Sequence, residues 1–110
     1  MKLPAAGEAY VPREKLVDYL LCETHPTGAS KADFFRGLGF REHTASQLEE
    51  ELLNVANGND VEESEVSPYG TKYVVIGEIV TPIHRRARVR TVWIIEPPDE
   101  RPRFVTAYPA

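Results

Sequence analysis

The chain has a single cysteine, Cys22, in 110 residues. One thiol excludes an intramolecular disulfide and any cysteine-based zinc site. Its ordinary role is that of a small apolar side chain on a helix. Long hydrophobic runs are missing as well. Nothing approaches the roughly 18 apolar residues of a membrane span, and Met1-Lys2-Leu3-Pro4 lacks the apolar stretch of a signal peptide. These absences predict a cytoplasmic protein with no membrane partner. The three histidines, His25, His43 and His84, are not spaced i, i+4, so a zinc hydrolase motif is excluded. Gly37-x-Gly39 closes a helical pattern and does not open one, so it is no phosphate-binding loop. Ser30 has no nucleophile elbow around it, and the acidic segment Asp60–Glu65 lacks the spacing of a calcium loop. No metal and no cofactor is expected.

What is present suits one domain spanning residues 1–110, since the length leaves no room for a second core. The 42% apolar and 27% charged residues are ordinary globular values. Residues 1–11 read as an extended lead-in. Pro12 suits a first helical turn, and Leu16, Val17, Leu20 and Leu21 give residues 13–22 an amphipathic helical period. His25-Pro26-Thr27-Gly28 breaks that helix. Ser30 is a candidate N-cap for a second helix over 31–38, which Gly39 ends. Thr44 and Gln47 suggest a capping box for a third helix, with Leu48, Leu52 and Val55 on one stripe. Residues 60–70 read as a polar, acidic loop. Residues 73–80, 86–95 and 103–108 then read as strands joined by short turns. The expected fold is α+β, with two to three N-terminal helices packed on a C-terminal antiparallel sheet of three to four strands.

Three groups of residues could carry chemistry. His25, on a polar loop, is of the residue type that can move a proton at cellular pH. Ser30 and Lys31 follow it into the first turn of the second helix, where free N–H groups favour an anion. The plain alternative is a solvated lysine and a turn-capping histidine. Arg86, Arg88 and Arg90 fall on one strand face, about 7 Å apart stepwise, a spacing suited to successive phosphates. The alternative is a sheet face kept soluble by charge. Arg90 lies deepest, beside Val92. Thr106 and Tyr108 are expected on the face of the last strand shared with Phe104, able to bind phosphate oxygens or stack on a base. A core aromatic with a polar tip would look the same.

Two resemblances bear on these residues. The run from Leu20 to Phe35, containing His25-Pro26-Thr27-Gly28-Ala29-Ser30-Lys31-Ala32, resembles the signature of an uncharacterised bacterial domain family. The tail, Thr91–Ile95 and Pro102–Pro109, is similar to its closing motif. The layout also resembles metal-independent ribonuclease toxins of the barnase, EndoU, colicin and RelE kind. That resemblance implies RNA cleavage through attack of a ribose 2′-hydroxyl on the adjacent phosphate. It matches His25 and Lys31 with the catalytic histidine and lysine of those toxins, and Thr106 and Tyr108 with their late hydroxyl and aromatic. Together with the residue patterns above, His25, Lys31 and Arg90 are the expected catalytic residues, and Ser30, Arg86, Arg88, Thr106 and Tyr108 the expected substrate-binding ones. The rival expectation is an immunity or antitoxin-like partner that uses the acidic loop 60–65 to dock a basic protein. RNA and a toxin-system protein are therefore the expected partners. A net charge of −4 neither requires nor forbids RNA, and the oligomeric state is left open.

Overall fold

Apolar residues recurring at every second position along 86–95 can be buried only against a second layer, and the helices supply it. The computed structural model describes residues 1–22 and 29–110, the side chains at 29 and 30 excepted. Three helices come first. α1 opens as an α-helix, Arg13–Lys15, and continues as a π-helical turn, Leu16–Leu20. α2 is Ala29–Gly37 and α3 is Ala45–Gly58. Four strands follow: β1 Val61–Ser67, β2 Gly70–Val80, β3 Arg86–Ile95 and β4 Arg103–Pro109. They form an antiparallel meander in the order β1-β2-β3-β4. The α+β architecture is the one the sequence pattern implies.

The core lies between the layers. The α3 stripe of Leu48, Leu52 and Val55 is buried against Val75, Ile79, Val89, Trp93, Phe104 and Ala107 of the sheet. Leu16, Leu20 and Leu21 of the first helical segment, with Phe35 and Phe40, complete it. Trp93 is fully buried, edge-on to Phe104 at 5.3 Å. Its indole N–H donates to the Thr91 hydroxyl (2.9 Å), which donates in turn to the Val75 carbonyl (2.6 Å). The two buried polar groups thus satisfy each other. Gly39, at φ 96°, closes α2: its N–H bonds to the Arg36 carbonyl, and the N–H of Phe40 to that of Phe35. A left-handed glycine with this bond pair is a Schellman ending. Beyond it, Arg36 ties α2 to the Leu21 carbonyl (3.0 Å) and pairs with Glu42. A backbone hydrogen bond, then the charges of Arg36 and Arg41, hold the Glu42 carboxyl below the ordinary range.

Four local expectations are corrected. Residues 61–67 of the expected acidic loop form β1, and β2 starts at Gly70, three residues before Tyr73. Residues 62–66 of β1 are all exposed, so no alternation betrays the strand, which exists because β2 pairs with it. Gly70 lets β2 begin hard against the end of β3, because a Cβ there would lie 2.3 Å from the Ile95 carbonyl oxygen. Ser30 is not the N-cap, since α2 already begins at Ala29. Thr44 precedes α3 but makes no capping bond to it; its hydroxyl is engaged by the N–H and C=O of Arg41 in the preceding turn.

The fourth correction bears most on function. Simple alternation would place Phe104, Thr106 and Tyr108 on one face. Instead Trp93 pairs with Phe104 while Val92 pairs with Thr106, leaving Val105 as an extra residue. This bulge shifts the phase of β4. Phe104 stays in the core, and Thr106 and Tyr108 take register positions beside Val92 and Arg90 of the opposite face.

Candidate functional site

Among the described residues all three helices pack on one face of the sheet, and the other face is open. On that open face the register sets Lys72, Val74, Ile76, Glu78 and Val80 of β2 beside Ile94, Val92, Arg90, Arg88 and Arg86 of β3. The arginine row therefore shares a face. Arg86 and Arg88 are exposed, whereas the Arg90 side chain keeps only 28% of its surface in solvent. Its guanidinium makes an ion pair with Glu63, which reaches across β2 from β1. On its other side Arg90 has Tyr108 as its cross-strand partner, and Val92 next along has Thr106. Side chains so paired lie about 5 Å apart at Cβ.

Thr106 connects this row to the helices. Its hydroxyl and that of Tyr19, in the π-helical turn, share a hydrogen bond of 3.0 Å in which either can donate. Two ammonium groups flank the Tyr19 ring, Lys15 at 5.0 Å and Lys31 at 5.7 Å from its centroid. Both distances fall in the range where a ring face attracts a cation. Lys31, Tyr19, Thr106, Tyr108 and Arg90 thus follow one another from the first turn of α2 onto the open face. Such a line of two cations and three hydroxyls can hold an extended anion.

Of the residues singled out by sequence, Lys31, Thr106, Tyr108 and Arg90 belong to this line. Arg88 continues it, bonded through its carbonyl to the N–H of Ala110, and Arg86 lies beyond the end of β4. His25 and the Ser30 side chain lie outside the described residues. Three members escaped the sequence pattern. Tyr19 and Lys15 form an i, i+4 pair on the first helix, a spacing visible in the sequence but unremarkable by itself. Glu63 is legible in the sequence only as part of the acidic loop 60–65, and its pairing with Arg90 is not, because its strand has no buried face.

Glu63 also belongs to a second feature. With Ser64, Glu65, Lys72, Val74 and Val92 it lines a depression of about 170 Å³ on the open face, next to Arg90. Among the described residues, no three His, Cys, Asp or Glu side chains gather in a group that could hold a metal ion. None of the described helices is long and apolar enough to cross a membrane.

The fold is one also found in a bacterial toxin system. A chain in a solved contact-dependent growth inhibition toxin–immunity protein complex from Klebsiella pneumoniae 342 superposes with a TM-score of 0.74. The match covers 94% of this chain and 95% of that one at 18% identity, so the likeness is one of fold. The chain itself belongs to the family described as a domain of unknown function (DUF6883), which it matches over residues 2–110. No curated protein matches it.

Proposed function

We propose that this domain is a metal-independent endoribonuclease of the bacterial toxin type, cleaving RNA by attack of a ribose 2′-hydroxyl on the adjacent phosphate. The observation that carries the reading is the line from Lys31 through the Tyr19–Thr106 hydroxyl pair to Tyr108 and Arg90, which runs from the helices onto the open sheet face. The reaction requires no cofactor, because the nucleophile belongs to the substrate. His25 exchanges the proton, taking it from the 2′-hydroxyl and returning it to the leaving oxygen. Lys31 and Arg90 stabilise the charge that gathers on the pentacoordinate phosphate. Thr106 and Tyr108 orient the nucleotide, and Ser30, Arg86 and Arg88 hold flanking phosphates. Fold likeness to a chain of a toxin–immunity complex supports a toxin-system protein, and it suits an enzyme and a partner equally.

The test is incubation with total RNA in excess EDTA, the wild type beside a His25→Ala, Lys31→Ala double variant. Wild-type cleavage that leaves 2′,3′-cyclic phosphate ends, lost in the double variant, is the expected result. Arg90→Ala alone should lower the rate about 100-fold, the effect of removing one donor aimed at developing charge. Equal cleavage by wild type and double variant would sink the assigned site.

One observation favours a second reading, that of an immunity or antitoxin-like interaction protein. β1 is an edge strand whose Glu62, Glu63 and Glu65 are exposed, with Val66 and Tyr69 82% and 78% exposed at its end. Such an edge can take up a basic strand from another protein. Total RNA left intact by both proteins would favour this role.

A further inference from the structure

We infer that the depression beside Arg90 is a nucleobase subsite that selects bases carrying an amino group and rejects uracil. The inference rests on the ribonuclease reading for its choice of ligand, and its geometry is independent of it. Glu63 links the two halves of the proposed nucleotide site, because its carboxylate pairs with Arg90 and also lines the depression. A phosphate held by Arg90 therefore has the depression one side chain away, where the base of the same nucleotide can reach.

The lining suits a base. Val74 and Val92 are cross-strand partners on the open face, both half-buried, and they give the depression an apolar floor for the flat face of a ring. The walls are polar and unevenly so. Glu63 and Glu65, which share the face of Val74 and Lys72, present carboxylates, which as ions only accept hydrogen bonds. Lys72, the cross-strand partner of Glu65, only donates. Adenine and cytosine each offer an exocyclic amine to such acceptors, and guanine offers an amine and a ring N–H. Uracil offers one N–H between two carbonyl oxygens, and those oxygens would face the carboxylates. Acceptor-rich walls therefore favour the three amino-bearing bases.

Phosphate and base recognition are coupled through an exchange of partners. In the unliganded chain the Arg90 guanidinium and the Glu63 carboxylate satisfy each other. When a phosphate takes the guanidinium, the carboxylate turns to the base amine, so neither charge is left alone. A base without an amine leaves Glu63 facing carbonyl oxygens.

Two readouts separate this inference from the ribonuclease reading. The first is binding of the four 3′-nucleoside monophosphates to the full chain, followed by calorimetry. The second is cleavage of deoxyoligonucleotides that carry one ribonucleotide, G, A, C or U. The expected result is at least about tenfold weaker binding and slower cleavage for uracil, the size of one lost base contact. Glu65→Gln should narrow that difference to within about threefold; Glu65 is exposed, so an unchanged unfolding midpoint shows that the variant is folded. Base-selective binding without any cleavage would keep the subsite and remove the ribonuclease reading. Cleavage with no base preference would do the reverse. Equal binding of all four nucleotides, no binding of any, or a preference untouched by Glu65→Gln would overturn the subsite.

Discussion

The two faces of β3 are built from one stretch of chain and have opposite tasks. Val89, Thr91 and Trp93 are buried under the helices, while Arg86 and Arg88 are exposed on the open face and Arg90 and Val92 are half-buried there. Alternation lets adjacent residues serve different ends. The covered face concentrates apolar burial, so it should carry the stability. The open face makes few contacts that folding requires, so its residues are available to a ligand.

Substitutions on the two faces test that division. Trp93→Ala removes the largest buried side chain and its contact with Phe104, and should cost about 3–5 kcal/mol in denaturant unfolding. Thr91→Val, close in shape, strands the buried indole N–H of Trp93 and should cost about 1–3 kcal/mol. Arg88→Ala on the open face should stay within about 0.5 kcal/mol by the same measurement. On the ribonuclease reading it should still weaken RNA binding and lower the salt dependence by about one counterion. A cost above 1 kcal/mol for Arg88→Ala, with RNA binding unchanged, would reverse the roles assigned to the two faces.

How much of this was legible in the sequence depended on periodicity. The α3 stripe of Leu48, Leu52 and Val55 and the alternation of residues 86–95 both reflect burial on one side, and both are plain in the sequence. The same alternation, with Val89 and Ile95, favours but does not fix a core place for Trp93, which the structure buries. β1 was illegible for the converse reason. An edge strand exposed on both sides has no pattern to show, and its carboxylates look like those of a solvated loop. The caps at Ser30 and Thr44 misled because a hydroxyl's choice among nearby backbone groups is local geometry that spacing does not record. The candidate site was half legible. Lys31, Arg90, Thr106 and Tyr108 stood out as residue types, but Tyr19 and Glu63, which tie them together, come from distant parts of the chain.

The inserted residue in β4 makes the end of the chain a matter of phase. Up to Phe104 the strand keeps step with Trp93, and beyond Val105 it runs half a period out of step with its own beginning. Deleting Val105 would therefore leave Phe104 opposite Trp93 and Thr106 opposite Val92 in a regular ladder, with the same residues inside and outside. Flattening the bulge with Val105 kept would do the opposite: Val105 would take the place beside Val92, Thr106 and Tyr108 would be driven toward the apolar layer, and Ala107, now fully buried, would be turned to water. The extra residue is thus what lets two hydroxyls spaced at even steps from a core phenylalanine come out on the opposite side of the strand.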